Sequence, residues 1–308
     1  MSYEEFKEVL VEQLQELYGE QVIVKMEKVV KTNDQSYDGL QIIDNPRSKI
    51  NPIVRLELLY EMYLEKGLTM EECVEWIQRL KDEDKGSAMM EFVQSLRVWD
   101  NVKEDVYPML VFNKKNQEYL ETMVSTPMLD LSIIYAVRRK VGSNDEYSLK
   151  VTKDMLNEYK ITKEELHQRA MENIGKEMYQ FTSMDWFKRA LLKFVTPGNK
   201  ELNLLKGPEM YVLTTNRMML GTAVILDKKL FRELVGTRNY YLIMSCIHEI
   251  VLIPDDEAVD REYLNEVISE IYENAVDEEE RLSPHYYYYN GATGEITMDD
   301  KRIQSNSL

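Results

Sequence analysis

The chain has 308 residues, 44% of them hydrophobic, and its formal net charge at pH 7 is −17. This hydrophobic fraction is typical of globular proteins and excludes a largely disordered chain. The negative charge disfavours direct binding to nucleic acid or to an anionic membrane, because both surfaces would repel the protein. We therefore expect a folded protein, long enough for one large or two smaller domains, whose partner, if it has one, is another protein.

The cysteines and the N-terminal segment indicate the compartment. Cys73 and Cys246 are the two cysteines, and each lies within an apolar pattern. Such a pair provides no disulfide framework and favours reduced thiols. Residues 1–14 carry acids where a signal peptide would carry bases, and no apolar run approaches the roughly 18 residues of a membrane span. We predict a cytoplasmic protein.

The first hundred residues predict helices around a short β-hairpin. Apolar residues at helical spacing, Phe6, Leu10, Leu14 and Leu17, precede Gly19 as a stop signal. Further predicted elements are strands over 21–30 and 37–43, a turn at Asn33-Asp34, a helix starting at Asn51-Pro52 and ending at Gly67, a helix capped by Thr69 and Glu72, and a helix over 88–96.

The rest of the chain alternates irregularly between strand and helix patterns. Predicted strands cover 107–112, 129–137, 147–151, 211–213, 222–226, 248–253 and 286–289, where the tyrosine run divides between a core face and a surface face. Predicted helices cover 117–123, a short segment from Thr152, a longer one from Thr162, Asp227–Val235 with Phe231 and Leu234 inward, and one lined by Tyr263, Val267, Ile271 and Tyr272; a loop covers 196–199.

Adjacent strands joined by short turns favour an α+β fold with a mixed, largely antiparallel sheet, helices on its face and a helical N-terminal region. The pattern changes near residue 100. We predict an N-terminal region of hairpin and helices over residues 1–100, an α+β core domain over 101–298 and a polar tail over 299–308.

His248-Glu249 is the one histidine–carboxylate pair that suggests chemistry. It fails the zincin spacing, because Leu252 stands four residues after His248. In a continuous strand the two side chains would point to opposite faces, whereas a tight turn at 245–247 would place both near a sheet end. We expect a structural histidine that satisfies buried hydrogen bonds. Catalysis or ligand binding by His248 and Glu249 is the alternative.

Ser245 and Cys246 are the candidate nucleophiles beside His248. A serine hydrolase normally presents its serine on a glycine-flanked elbow, and Met244-Ser245-Cys246 contains no glycine. The apolar neighbours of Cys246 would raise the pKa of its thiol. Both residues are therefore weak candidates for catalysis.

Cofactor and metal motifs are missing from the sequence. Neither Gly-x-x-x-x-Gly-Lys nor Gly-x-Gly-x-x-Gly occurs, and the three histidines are spread along the chain at His167, His248 and His285. We expect no cofactor and no stoichiometric metal. The acidic run Asp277–Glu280 is typical of a solvated helix end.

With these residues laid out, the chain resembles an uncharacterised family of cytoplasmic proteins from Gram-positive bacteria, a domain of unknown function. The resemblance covers most of the chain and implies a fold and a compartment, with no reaction attached. Met244 and Cys246 depart from it, since proline and serine are usual there. The matching positions are Lys31, Asn33, Gly39-Leu40, Asn51-Pro52, Tyr60 to Gly67, Asp130-Leu131, Ile133, Tyr135, Leu166, Ala170, Asn173, Tyr211–Thr214, Gly221, Ala223, Ser245, His248-Glu249 and Leu282-Ser283.

Three functions are compatible with the sequence. The first is a non-enzymatic binding or protein-interaction module, favoured by the lack of cofactor motifs. The second is a hydrolase-type or metal-assisted enzyme that uses His248 and Glu249. The third is an acidic decoy of a nucleic-acid-binding site on another protein, which depends on the net charge alone.

Overall fold

The computed structural model describes residues 1–44, 53–82, 87–141, 145–185, 209–255, 259 and 261–298. The chain forms two compact units, Met1–Ser95 and Leu96–Leu308. The fold is α+β with antiparallel sheets. The predicted division into an N-terminal region over 1–100 and a core domain over 101–298 stays a prediction, and the predicted tail over 299–308 lies outside the described residues.

The first unit packs helices against one antiparallel sheet of order β1-β2-β3. Its core joins the inner face of α1 to buried side chains of the sheet and of two further helices: Phe6, Leu10, Leu14, Val24, Leu40, Leu56, Leu59, Cys73 and Ile77. The elements are α1 (Tyr3–Tyr18), β1 (Ile23–Val30), β2 (Ser36–Ile43), β3 (Ile53–Arg55), α2 (Leu56–Lys66), α3 (Met70–Asp82) and α4 (Ser87–Ser95).

Helix ends in this unit follow local chemistry. Ser2 and Glu5 form a capping box at the start of α1, and Gly19 ends that helix with a positive φ of 69°. The predicted cap of α3 is confirmed, because Thr69 Oγ1 accepts from the Glu72 amide at 3.2 Å and Glu72 Oε2 accepts from the Thr69 amide at 2.8 Å. Leu17 continues the apolar spacing of Phe6, Leu10 and Leu14, but it is 48% exposed.

The segment before α2 differs from the prediction. Asn51-Pro52, the predicted helix start, lies outside the described residues. Residues Ile53–Arg55 pair with β2 as a third strand, so the helix begins at Leu56. Its predicted end is confirmed, since Gly67 is left-handed with φ 63°.

The second unit begins with a four-stranded sheet around the long strand β6, which pairs with β4 on one side and with β5 and β7 on the other. The predicted strand over 129–137 is wrong at its start, because Leu129 and Asp130 form the turn that joins β5 to β6. The elements are α5 (Trp99–Val102), β4 (Val106–Phe112), α6 (Gln117–Thr122), β5 (Ser125–Met128), β6 (Leu131–Val141), β7 (Asp145–Lys150), α7 (Lys153–Tyr159) and α8 (Lys163–Ile174).

A six-stranded antiparallel sheet of order β13-β12-β10-β11-β9-β8 completes this unit. The predicted loop at 196–199 lies outside the described residues. The strands and helices are β8 (Tyr179–Ser183), β9 (Tyr211–Thr215), α9 (Lys228–Val235), β10 (Tyr240–Ile243), β11 (Glu249–Pro254), α10 (Arg261–Asn274), β12 (Tyr286–Asn290) and β13 (Glu295–Met298).

The predicted strand over 222–226 is wrong, since Gly221–Leu226 forms a 3-10 helix. The apolar run was mistaken for a strand because residues 221–225 are all buried. The backbone at Gly221 approaches β9 so closely that a Cβ there would lie 2.7 Å from Thr214 Cα. Any side chain at position 221 would therefore clash with β9.

Helix α9 is confirmed, with one inward residue misplaced. Asp227 caps it through Oδ1, which accepts from the Lys229 and Leu230 amides at 3.1 and 3.0 Å. Phe231 is buried as predicted, but the second buried residue is Val235 and Leu234 is only half-buried.

The tyrosine strand β12 lies inside the sheet, with β13 at the edge beside it. Tyr286, Tyr287 and Tyr289 are all buried, so the predicted division into a core pair and a surface pair is wrong. Helix α10 covers the face that carries Tyr286, which removes the expected exposed side. Within the described ranges, no helix combines the length and apolar character that crossing a bilayer demands.

Candidate functional site

The loop of residues 244–248 joins β10 to β11 and carries most of the residues that the sequence singled out. Its backbone is anchored by β9 and by the 3-10 helix. Thr214 Oγ1 and the Gly221 amide both donate to the His248 carbonyl at 2.8 Å, and Thr222 Oγ1 donates to the Ile247 carbonyl at 2.9 Å. The loop is therefore a fixed part of the sheet end, and β11 begins at Glu249.

The His248 imidazole uses both nitrogens within the fold. The Leu220 amide donates to Nδ1 at 3.2 Å, and Nε2 lies 3.1 Å from Glu280 Oε1. An Nδ1 that accepts a hydrogen bond carries no proton, so we assign the proton to Nε2, which then donates to Glu280. The His248 side chain is 17% exposed. His248 thus connects its own loop to the segments that carry Leu220 and Glu280.

The segment bonded by His248 is strained. Met218 and Leu220 both adopt left-handed backbone conformations, with φ of 56° and 55°. For side chains other than glycine, such residues cost about 1–3 kcal/mol each and persist where the surroundings hold them. Thr215 Oγ1 holds this segment by donating to the Met219 carbonyl at 2.8 Å and accepting from the Met219 amide at 3.2 Å. His248 and Thr215 together fix the two strained residues.

The other predicted site residues of this loop are buried. Ser245 is 3% exposed, and its Oγ has no hydrogen-bond partner among the described residues. Burial raises the pKa of the Cys246 thiol, whose sulfur accepts from the His248 amide at 3.3 Å. Burial also raises the pKa of Glu249, beside that thiol. The structure brings His248 and Glu249 to one sheet end, where the Cys246 thiol is hydrogen-bonded to the Glu249 carboxyl. The raised pKa of that thiol keeps it protonated, which makes it a poor nucleophile.

A second polar cluster surrounds the Asp130 carboxylate, and we name it the Asp130 cluster. Oδ2 lies 2.8 Å from His285 Nδ1 and accepts from Ser283 Oγ at 3.2 Å, while Oδ1 accepts from the Tyr287 hydroxyl at 2.6 Å. Asp130 lies in the turn between β5 and β6, and it thus connects this turn to three side chains at the start of β12. Burial and the Asp130 charge raise the pKa of Tyr287, which keeps its hydroxyl a donor.

A bulge in the chain places His285 in this cluster. Ile243 pairs with Tyr286, whereas the Met244 carbonyl already accepts from the Ser283 amide at 2.9 Å, so Pro284 and His285 pair with no strand residue in the described part of the chain. Extra residues of this kind bend a strand and redirect side chains. The His285 ring packs edge-on against Phe112, with centroids 5.9 Å apart. Its side chain is 35% exposed, and the contact to Asp130 uses Nδ1.

The remaining histidine, His167, is structural. Its Nδ1 lies 2.9 Å from the hydroxyl of the fully buried Tyr135, which also contacts Thr126 Oγ1 at 3.0 Å. Burial and the nearby Lys163 charge lower the pKa of His167, which favours the neutral ring. No group of three or more His, Cys, Asp and Glu side chains suited to a metal ion occurs within the described ranges.

A buried ion-pair cluster joins the two sheets of the second unit. Arg138 Nε donates to Glu146 Oε1 at 2.7 Å, and Arg217 Nη2 donates to Glu146 Oε2 at 2.7 Å. Glu177 lies 3.5 Å from Arg138 as a second partner. The Arg138 guanidinium also stacks over Tyr107, 5.0 Å from the ring centre. With side chains of Arg138 and Glu146 only 5% and 17% exposed, this cluster is a structural connection.

The family comparison matches residues 3–291 to the model of a family of unknown function, DUF5688. The chain belongs to DUF5688. The match extends over both units, and the resemblance to a family of unknown function is thereby confirmed. Comparison with curated proteins found no match, and neither did comparison with solved structures. The Gram-positive origin of this DUF5688 chain stays a prediction.

Sequence reasoning did not assemble the Asp130 cluster. Asp130 and Ser283 contributed only to the resemblance, and His285 was noted only as an unclustered histidine. The Asp130 contacts join residues 153 to 157 positions apart, which no local pattern reports. The signal that could have found this cluster is the presence of polar residues, Asp130, Ser283 and His285, next to strands that otherwise carry apolar side chains.

Proposed function

We propose that this protein is a non-enzymatic protein-interaction module that acts in the cytoplasm. The observation that carries the proposal is the concentration of exposed apolar side chains on the first unit. Seven of the eleven large hydrophobic residues that are exposed among the described residues belong to Met1–Ser95, less than a third of the chain. Apolar surface of this kind marks binding sites when it is contiguous.

Part of this apolar surface lies on one face of the three-stranded sheet. Ile23 pairs with Ile43, and Ile53 pairs with Gln41, two positions earlier on β2. Residues two apart on a strand share a face, so Ile23 and Ile53 point to the same side. They are 46% and 37% exposed. The 244–248 loop supports the non-enzymatic part of the proposal. Both ring nitrogens of His248 already bond to groups within the fold, to the Leu220 amide and to Glu280.

Co-purification from native cells tests the proposal. The tagged full chain should retain a protein partner at a fixed stoichiometry, and Ile23→Lys combined with Ile53→Lys should release it without lowering the melting temperature. A matched pair on the second unit, Val98→Lys with Met178→Lys, alters residues that are 48% and 70% exposed and should retain the partner. Recovery of the chain without a partner at native concentration would contradict an interaction module.

A hydrolase-type enzyme is the second candidate, and its favoured site is the Asp130 cluster. A carboxylate at His285 Nδ1 holds the ring in one tautomer and leaves Nε2 as the basic nitrogen. In this candidate, Nε2 takes a proton from the attacking water. His285→Gln should abolish hydrolysis of a panel of aryl esters, while His248→Gln should keep it. This candidate would be excluded if His285→Gln and His248→Gln hydrolysed the esters equally, or if the parent protein hydrolysed none of them.

A further inference from the structure

A groove runs along the first unit between α1 and β1, and we name it the α1–β1 groove. Its lining combines an apolar floor with acidic sides. The lining residues are Glu8, Val11, Glu12, Gln15, Glu16, Gly19, Glu20 and Met26.

The floor of the α1–β1 groove offers apolar contact. Met26 is 40% exposed there, and Val11 is half-buried. The Gln15 amide is fully used within the fold, because Nε2 donates to the Gly19 and Val22 carbonyls at 2.7 and 2.9 Å and Oε1 accepts from the Val24 amide at 3.2 Å. A partner therefore meets hydrophobic surface at the floor.

The sides of the groove carry uncompensated negative charge. Glu8, Glu12 and Glu16 follow one another on α1 at intervals of four residues, about 6 Å per interval along the helix, and Glu20 lies just beyond Gly19, where α1 ends. None of the four has an ion pair within the described part of the chain, whereas Glu4 on the same helix pairs with Lys7 at 2.8 Å.

This arrangement is unfavourable for α1 on its own. Like charges four residues apart destabilise a helix. Glu16 also lies near the negative end of the helix dipole, and the last turn of α1 has no basic residue. A cationic occupant would relieve both penalties and cover the apolar floor.

We propose that the α1–β1 groove binds a lysine- or arginine-rich amphipathic helix of a partner protein. This inference rests on the interaction-module proposal and names the chemistry of a second contact with the partner, because Met26 lies on the opposite face of β1 from Ile23. A helix with basic residues at intervals of four places its charges at the spacing of Glu8, Glu12 and Glu16, and its apolar side faces Val11 and Met26. Such helix-in-groove binding depends on both charge and apolar anchors.

Fluorescence anisotropy with the full-length protein tests the inference. The probe is a labelled peptide of about 15 residues, built from leucine and lysine in helical amphipathic order. It should bind the parent, and Glu12→Lys with Glu16→Lys should weaken binding about ten-fold or more. The same variant should melt at an equal or higher temperature, because the lysine at position 12 faces Glu8 and the lysine at position 16 lies near the negative end of the helix dipole.

Matched controls separate groove binding from general charge attraction. Glu61→Lys with Glu65→Lys makes the same charge change on exposed positions of α2 and should keep the affinity within about two-fold. Met26→Gln should weaken binding at unchanged charge. Equal binding by a scrambled peptide or by an all-polar lysine peptide would overturn the inference in favour of a charge-only decoy.

Failure of this inference is distinguishable from failure of the proposed function. If a native partner still co-purifies with the Glu12→Lys, Glu16→Lys variant, the groove assignment is wrong and the interaction module stands. If the variant loses both the native partner and the peptide while it stays folded, the inference is supported.

Discussion

At the residue scale, the His248 imidazole joins Leu220 to Glu280, which are separated by sixty positions in the chain. It accepts a backbone hydrogen bond from the left-handed Leu220 and donates to a carboxylate. A buried donor that loses its acceptor costs more than an ordinary hydrogen bond, because nothing else solvates it. The ring therefore stabilises the fold chiefly because its removal would leave the Leu220 amide without an acceptor.

His248→Ala should lower the free energy of unfolding by about 1–3 kcal/mol, since the Leu220 amide then lacks its acceptor. His248→Gln should lower it less, because the amide side chain can restore one of the two contacts. Urea denaturation of both variants beside the parent measures the difference. Unchanged stability of both variants would exclude the structural role.

Gly221→Ala should destabilise the protein by about 1–3 kcal/mol, the usual cost of overpacking. A Cβ at this position would lie 2.6 Å from the His248 carbonyl oxygen and 2.7 Å from Thr214 Cα. Gly175→Ala is the control, because its φ is −67° and no atom of the described residues lies within 4 Å of the added Cβ. Thermal melts should separate the two, and equal melting temperatures would contradict the close approach.

At the element scale, α9 shows how far periodicity determines packing. The Asp227 cap and the apolar spacing were sufficient to predict the helix and its inward Phe231. Neighbouring positions on a helix differ by about 100°, so whether Leu234 or Val235 faces the core depends on the sheet beneath. That orientation is set by tertiary packing, which a single helix sequence does not contain.

Phe231→Ala should cost about 3–5 kcal/mol, because the ring is fully buried and packs edge-on against Tyr289 at 5.0 Å between centroids. Leu234→Ala should cost clearly less, since this side chain is only half-buried. Chemical denaturation gives both values. A larger loss for Leu234→Ala would show that α9 is rotated on the sheet.

Elements with strong local signals were predictable, and those defined by distant contacts were not. The capping residues Thr69 and Asp227 mark helix starts through hydrogen bonds within three residues. The segment 222–226 has the composition of a strand, yet its amide and hydroxyl at Thr222 bond to Ile247. The Asp130 cluster was missed for the same reason, because its partners arrive from the far end of the unit.

At the scale of the second unit, the two sheets share buried charges. Burial alone would raise the pKa of Glu146, but hydrogen bonds and charges from Arg138 and Arg217 outweigh it and lower the pKa below the ordinary value of 4.5. The folded state therefore binds a proton at Glu146 less readily than the unfolded chain does. Its stabilising contribution is complete above the unfolded pKa and is lost as the pH falls through the folded one.

Glu146→Gln should lower the free energy of unfolding at pH 7 by about 1.5–3 kcal/mol, the range for hydrogen bonds to charged groups. The difference in unfolding free energy between parent and variant should narrow as the pH falls below about 4.5, because the parent then begins to lose its ionised carboxylate. Denaturation at several pH values measures this difference, with the exposed Glu121→Gln as control. A difference that is independent of pH would exclude this ion pair as its cause.

The long chain separation within the Asp130 cluster has a consequence for synthesis on the ribosome. Asp130 leaves the ribosome 153 residues before Ser283 does. At roughly 5–20 residues per second, its carboxylate waits about 8–30 s for its partners. During that interval the β5–β6 turn lacks its contacts to the start of β12, so the nascent second unit exposes the surface that Tyr287 later covers. A pause in translation before β12 would lengthen this exposure and increase the opportunity for aggregation or chaperone binding.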